Sequence, residues 1–272
     1  MKKFLAFFCI ISCLFFAACS TLPLKFNNAK NEENNSLILY CSNVIKPMAD
    51  SIVKDVNLNS KYKIEIKTID EAEVDSILKK GKEACVFIGF EERQTENIAI
   101  ETIGKDGIGI ITSAGSKLEN INFENLRDIY SGKVNRFEDN PNKENIIKFV
   151  MFDDNNTLRK KFNKQVMEFP SKIMYDSKVE VVNTMDEMIS KVKQEGYIGY
   201  TNLQYGKSNG IKTLKLNGVH FSKDSIKTLT YPLTYNLNVI YDKKYKKESQ
   251  EFINYLKSIQ GKRTIENFAV GT

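Results

Sequence analysis

The sequence predicts an α/β fold, because short buried strands alternate with amphipathic helices along most of the chain. Residues 37–41 and 84–89 are apolar runs of the kind found in strands that are buried on both faces. Between them, Val74, Ile77 and Leu78 recur at helical spacing. Pro47 follows the first strand at a place that suits the first turn of a helix. We therefore predict mainly parallel sheets connected by helices.

The same patterns predict the remaining elements of the body. Period-two or continuous apolar runs indicate strands, and apolar positions three or four apart indicate helices. Strands are predicted at residues 62–67, 98–103, 107–112, 146–152, 179–182, 197–200 and 237–241; helices are predicted at residues 70–80, 122–131, 184–195 and 248–258, from Leu158 onward, and in a tail that ends near Phe268.

Residues 1–18 have the features of a bacterial export signal. Lys2 and Lys3 precede a short apolar stretch, and Ala17-Ala18 comes directly before Cys19. This ending resembles a bacterial lipobox, in which the cysteine becomes the lipid-modified first residue of the mature protein; a plain secretory signal is the alternative. Residues 19–36 are polar and rich in asparagine, so we predict a flexible tether between a lipid on Cys19 and the folded body.

Composition excludes several classes of function. Without Lys2 and Lys3, 38 basic and 34 acidic residues remain, a net charge of about +4, and no arginine-rich stripe suggests nucleic-acid binding. His220 is the single histidine, which argues against a histidine-based catalytic triad or zinc site. Cys41 and Cys85 lie in predicted strands; we predict buried thiols, with a disulfide only if the strands bring them close. We predict no metal, no cofactor and no enzymatic activity.

One stretch has the form of an anion site. The predicted strand that ends at Phe152 is followed by five polar residues and then by a helix-like pattern. Asn156 and Thr157 are good N-cap residues, and free N–H groups at a helix N-terminus attract negative charge. The alternative is an ordinary capped helix without a ligand.

Several segments in order resemble the PstS-like solute-binding proteins, which capture phosphate for ABC importers. The resemblance is carried by residues 122–134 (NFENLRDIYSGKV), by residues 195–200 (EGYIGY), by Tyr231-Pro232 before a strand, and by the helical residues 252–261. It covers most of residues 37–270. It implies the periplasmic-binding-protein-like fold, with two α/β lobes joined by a hinge of two crossing strands and a ligand in the cleft between them. Lobe 1 would comprise residues 37–113 and 232–272, and lobe 2 residues 114–231.

The family's ligand residues are only partly present. Ser42, with Asn43 behind it, occupies the place of the hydroxyl donor at the end of the first strand, and Arg93 matches a family arginine. Phe87 stands where the family has an aspartate. In place of the family's Gly-Ser-Gly turn, residues 68–71 read Thr-Ile-Asp-Glu, which puts acids where an anion would lie.

The polar stretch aligns with a second part of the family's ligand cage. Arg159 matches, but Phe152 stands where the family has an anion-binding arginine. We predict that Phe90, Phe152 and Tyr200 lie at the cleft rim, with core packing as the alternative. The ligand-binding residues that we predict are Ser42, Asn43, Arg93, Asn155, Asn156, Thr157 and Tyr200.

The resemblance implies a monomeric, lipid-anchored, extracytoplasmic receptor that binds phosphate or a related small oxyanion and delivers it to ABC permease subunits. Because much of the phosphate cage is altered, two alternatives stay open. The protein could bind a different small solute, or it could keep the two-lobed fold as a structural or signalling lipoprotein that has lost phosphate binding.

Overall fold

A computed structural model describes residues 36–59, 63–81, 83–90, 92, 95–134, 147–167 and 179–272 of the chain. The predicted signal, the tether up to residue 35 and Cys19 lie outside this part. Within it, no helix combines the length and the apolar character that crossing a membrane requires.

The elements follow the predicted order with small shifts at their ends. The strands in the described part of the chain are β1 (Ser36–Cys41), β2 (Lys63–Thr68), β3 (Cys85–Gly89), β4 (Ile98–Gly107), β5 (Gly109–Ser113), β6 (Asn120–Ile121), β7 (Lys148–Phe152), β8 (Glu180–Val182), β9 (Tyr197–Thr201), β10 (Ile211–Thr213), β11 (Lys215–Leu216), β12 (Thr234–Asp242) and β13 (Val270–Gly271). The helices there are α1 (Lys46–Asn59), α2 (Val74–Lys80), α3 (Phe123–Tyr130), α4 (Thr157–Val166), α5 (Met185–Val192), α6 (Lys223–Lys227), α7 (Lys246–Lys257) and α8 (Ile259–Glu266), with short 3-10 turns at Glu71–Glu73 and Lys243–Tyr245.

Lobe 1 is built on a six-stranded sheet in the order β13-β4-β12-β3-β1-β2. β1 pairs in parallel with β2 and β3, but β12 is antiparallel to both β3 and β4. The sheet is therefore mixed, and the expectation of mainly parallel sheets is wrong. The reason is topological: β4 and β12 are the long strands that carry the chain out of this lobe and back into it, so they run in opposite directions.

Both faces of the lobe 1 sheet are covered. Leu37, Leu39 and Cys41 of β1 belong to the main core, whereas Ile38 packs in a second cluster with Val74 and Leu78. This division follows from the alternation of side chains along a strand, and it explains why the run is apolar throughout. Cys41 and Cys85 are buried free thiols, as predicted. They are not opposite each other, since Cys85 pairs with Ile38.

Lobe 2 is built on a five-stranded sheet in the order β10-β5-β9-β7-β8. β7 is parallel to β8 and β9, and β5 is antiparallel to β9. Residues 109–113 thus pair in the second sheet, although we assigned them to lobe 1. The chain passes from lobe 1 to lobe 2 at Ile108, which lies between Gly107 and Gly109. A side chain at position 109 would overlap the Phe221 ring.

Two segments cross between the sheets and are hydrogen-bonded to each other. The Ile108 amide donates to the Leu233 carbonyl at 2.9 Å, and the Tyr231 hydroxyl donates to the Ile108 carbonyl at 3.0 Å. Asp106, which is buried, accepts from the Gly107 amide and from the Leu203 amide of lobe 2. We call these residues the hinge.

Burial of Asp106 predicts a pH-dependent stability. Burial raises the pKa of this carboxyl from 3.8 to about 7, although the Leu203 and Gly107 amides and the Tyr235 hydroxyl oppose the shift. Between those two pH values the unfolded chain releases the proton and the folded protein keeps it, so the free energy of unfolding falls as the pH rises. Above pH 7 the penalty is complete.

Denaturant unfolding of the wild type and of Asp106→Asn at pH 4.5, 6 and 8 measures this penalty. The amide keeps an oxygen that accepts from Gly107 and Leu203 but does not ionise. We expect the wild type to lose stability relative to the variant as the pH rises from 4.5 to 8. Parallel curves for the two proteins would show that Asp106 ionises normally.

Candidate ligand-binding cleft

A cleft of about 320 Å³ lies between the lobes, and residues of both lobes form its walls. Most of the lining is polar, with hydroxyl, amide and carboxyl side chains. The lining residues are Ser42, Asn43, Val44, Thr68, Ile69, Asp70, Glu73, Asp153, Asn155, Asn156, Thr157 and Asn183.

The cleft is where four parallel strands end. β1 and β2 end at the cleft from lobe 1, and β7 and β8 end there from lobe 2. A helix or a 3-10 turn starts shortly after each strand, so helix N-termini face the space. Their free N–H groups and dipoles favour a negatively charged or hydrogen-bond-accepting ligand.

Among the residues of lobe 1, Ser42 gives the strongest evidence for a bound ligand. It follows β1 and is 5% exposed, and its carbonyl accepts from the Ile45 and Lys46 amides in the turn that leads into α1. Its hydroxyl oxygen is buried and has no partner among the described residues. Buried hydroxyl groups without a partner are costly and uncommon, which suggests that this one is completed by a ligand. The predicted residue Asn43 lines the same wall and is exposed.

On the lobe 2 side, the polar stretch forms a tightly bonded turn. The Asp153 carboxylate accepts from the Asn155 amide at 2.8 Å, and the Asp153 amide donates to Val182 of β8 at 3.1 Å. Asn156 is the N-cap of α4, as predicted, since its side-chain oxygen accepts from the Leu158 and Arg159 amides. The oxygen is therefore occupied by the cap, and the amide nitrogen of Asn156 is the part of the side chain left to donate to a ligand.

Thr157 is the first residue of α4, and its side chain is buried against the cleft. Asn155 lines the cleft and is exposed. The structure therefore brings together five of the seven predicted ligand-binding residues, namely Ser42, Asn43, Asn155, Asn156 and Thr157.

Arg159 stabilises the turn between β7 and α4. Its guanidinium donates to the Phe152 carbonyl at 2.6 Å and pairs with the Asp154 carboxylate at 2.6 Å. The side chain is 7% exposed and does not line the cleft. This arginine thus stabilises the backbone between β7 and α4, and this conformation places the N-terminus of α4 at the cleft.

The cleft contains carboxylates as well as donors. Asp70 and Glu73 line it from lobe 1, and Asp153 lines it from lobe 2. Lys160 of α4 reaches across and donates to Asp70 at 2.7 Å. Burial would raise the pKa of Asp70, but the Ala72 amide and the Lys160 ammonium lower it, so this carboxyl stays ionised.

Tyr200 does not lie at the cleft rim, so that prediction is wrong. The tyrosine is fully buried, its ring stacks on Phe162 at 4.6 Å, and its hydroxyl accepts from the Phe152 amide at 3.3 Å. Phe90 and Phe152 are also buried in the core. These rings pack in the core next to the strand ends. A strand that is buried on both faces carries bulky apolar side chains up to its last residues.

Arg93 lies outside the described residues, and its predicted role stays a prediction. Sequence reasoning missed Asn183 and Asp153 as lining residues, although both directly follow predicted strands. A rule that takes polar residues directly after strands of a parallel pair would have found them. It would not have found Lys160, which is the fourth residue of α4 and reaches the cleft-lining Asp70.

The comparisons with known proteins agree with this geometry. A family model described as a PBP superfamily domain matches residues 63–258, more than half of the chain. The phosphate-binding protein PstS of Borreliella burgdorferi is 23% identical in an alignment of 253 residues that covers 88% of this chain and 91% of that protein.

Solved structures show the same fold at low identity. An ABC-type phosphate transport receptor from Vibrio cholerae superposes with a TM-score of 0.75 at 18% identity, and the match covers 87% of this chain and 99% of that one. PstS from Borrelia burgdorferi superposes with a TM-score of 0.64 at 20% identity, with coverage of 87% and 99%. The predicted two-lobed fold is thereby confirmed, and the chain belongs to the PBP superfamily.

Proposed function

We propose that this protein is the solute-binding receptor of an ABC importer and that it holds phosphate or a related small oxyanion in the cleft. The observation that carries the proposal is the buried, unpartnered hydroxyl of Ser42 at a cleft where helix N-termini converge. The relatives reported above are named as phosphate-binding or phosphate-transport proteins, which supports the same ligand class.

The donors of this site are mostly neutral. Ser42, Asn43, Asn155, Asn156 and Thr157 offer hydroxyl and amide groups, and such donors can hold an oxyanion in a site that excludes water. Phe87 and Phe152, which replace the family's aspartate and arginine, are buried in the core and do not reach the cleft. We therefore expect weaker binding or altered selectivity relative to a complete phosphate cage.

Two further parts of the proposal concern the cellular setting. Cys19 carries a lipid that anchors the protein, as a monomer, to the outer face of the cytoplasmic membrane or to another membrane of the cell envelope. The lobes close on the ligand, because a ligand that contacts both walls stabilises the closed form. The closed protein then delivers the ligand to permease subunits.

One observation favours a second candidate function. Asp70, Glu73 and Asp153 place carboxylates in the cleft, and they repel an anion unless cations offset them. A lipoprotein that keeps the fold for a structural or signalling role, or that binds a different polar solute, is the alternative that this acidic lining supports.

Replacement of Ser42 tests the ligand site. Phosphate must raise the melting temperature of the wild type by mass action if it binds the native state. Loss of one hydrogen bond to a charged ligand weakens binding by about tenfold or more. In Ser42→Ala we therefore expect the shift produced by phosphate to shrink strongly, measured by thermal unfolding with phosphate, sulfate and a panel of polar metabolites.

Ser249→Ala is the matched control. Ser249 of α7 is also a buried serine without a partner for its hydroxyl, but it does not line the cleft. Removing either hydroxyl relieves an unpaired buried group, so neither variant should be less stable without ligand. Equal phosphate shifts in both variants would remove Ser42 from the site, and no shift of the wild type with any ligand would favour the structural or signalling role.

Lipid anchoring is tested at Cys19. We expect the wild type to sediment with membranes and Cys19→Ser to be released, because the serine cannot form the thioether to a diacylglyceryl group. Cell fractionation with metabolic labelling by palmitate measures both effects. A wild type without label, or a Cys19→Ser protein that takes up as much label as the wild type, would contradict the lipidation at Cys19.

A further inference from the structure

We propose that Asp70 and Lys160 form an ion-pair strap across the cleft, which holds the two lobes together before a ligand arrives. The proposal rests on the two-lobed structure, and it deepens the proposed function by naming what sets the resting position of the lobes. Its first test needs no ligand.

The two partners belong to different lobes. Asp70 follows β2 in lobe 1, Lys160 lies on α4 in lobe 2, and the Lys160 Nζ is 2.7 Å from the Asp70 Oδ1. Because the lobes are joined through the hinge, any opening of the cleft that moves β2 away from α4 must break this pair. The pair thus forms in the closed arrangement and favours it.

Both ends are fixed to their own lobes. The Asp70 carboxylate accepts from the Ala72 amide at 2.9 Å, so it is held as the cap of the 3-10 turn. The Lys160 amide bonds to the Asn156 carbonyl, which fixes the lysine in the first turns of α4. The lysine side chain is flexible, so the pair breaks once α4 moves away from β2 farther than this side chain can follow.

The same helix also contacts lobe 1 near the hinge. Gln165 of α4 donates to the Thr234 carbonyl at the start of β12 at 3.1 Å. This bond lies beside the crossing segments, where opening displaces atoms least. Lys160 is about five residues, or roughly 7.5 Å of helix, closer to the start of α4 at the cleft, so its bond is the one more sensitive to opening.

The strength of the strap should lie between that of an exposed ion pair and that of a buried one. The side chains of Lys160 and Asp70 are 40% and 23% exposed. A half-exposed pair contributes modestly and is screened by salt, so we expect the closed population to fall as ionic strength rises. The effect on a ligand's apparent affinity should be up to about fivefold, because affinity scales with the fraction of molecules in the competent state.

Lys160 also offsets charge in the cleft. Without it, Asp70 would add an unpaired carboxylate beside Glu73 and Asp153. Removing the lysine should therefore weaken the binding of an anion more than removing Asp70 does. Both changes break the ion pair, but only the loss of Lys160 leaves the negative charge of Asp70 to repel an anion.

Fluorescence energy transfer between one label on each lobe measures the strap. Ser76 of α2 in lobe 1 is exposed, as is Ser190 of α5 in lobe 2, so Ser76→Cys and Ser190→Cys provide one labelling site on each lobe away from the hinge. The native thiols of Cys41 and Cys85 are buried, and burial raises their pKa to about 12 and about 11, so they compete poorly for the label.

Without ligand, we expect the wild type to lose transfer efficiency between 20 mM and 1 M salt. Lys160→Met and Asp70→Asn should show the lower efficiency at both salt concentrations, and the double variant should resemble either single one. Asparagine keeps the cap at position 70. Lys160→Arg should retain the high efficiency, and Lys164→Met, which removes an exposed lysine from the same helix, is the matched control and should behave as the wild type.

Efficiencies that are unchanged in Lys160→Met and Asp70→Asn, or that do not depend on salt in the wild type, would overturn the strap. Titration with inorganic phosphate is the second arm. We expect a larger loss of affinity in Lys160→Met than in Asp70→Asn, and the reverse order would contradict the offset of charge. An intact salt response without any phosphate binding would leave the strap standing and reject the proposed ligand.

Discussion

The crossing of two chain segments at Ile108 and Leu233 is the constraint on which the structure depends. One backbone bond and the Tyr231 hydroxyl join the segments, and the buried Asp106 ties the crossing to Leu203 of the second lobe. Because both sheets are fixed to this crossing, the ends of their parallel strands face the same space. The cleft, its helix N-termini and the reach of Lys160 to Asp70 all follow from that arrangement.

The chemistry of the cleft combines two tendencies. Uncharged donors, among them Ser42 after a strand and Thr157 at the start of a helix, suit an oxyanion, while three carboxylates in the same lining oppose one. Arg159 does not resolve the conflict, because its guanidinium is engaged by Phe152 and Asp154 under the turn. Lys160 is the cation that the described structure brings to this acidic wall. Under the proposed function, positive charge therefore comes to the site from a helix side chain.

Much of the fold could be predicted from local patterns. The strand at residues 37–41 and the N-cap at Asn156 depend on nearby residues, and the structure has them where the patterns indicated. The direction of β12 could not be predicted locally, because pairing with β3 and β4 is decided by the path of the chain between lobes. The strand at residues 109–113 was assigned to the wrong sheet for the same reason.

The candidate site divides in a similar way. Ser42 was found because it occupies the place of the family's hydroxyl donor, and the end of a parallel strand fixes where such a residue lies. Tyr200 was misplaced because an aromatic residue near a strand end packs equally well into the core or at the rim, and only the neighbours Phe152 and Phe162 decide. The pair of Lys160 and Asp70 joins positions 90 residues apart, and no local pattern indicates such a contact.

A crystal structure of the protein grown with phosphate would test the central claim most directly. The account predicts a tetrahedral anion in the cleft, within hydrogen-bond distance of the Ser42 hydroxyl and facing the N-termini of α1 and α4. An empty cleft in which the Ser42 hydroxyl bonds to another protein group, or phosphate bound only elsewhere, would contradict it.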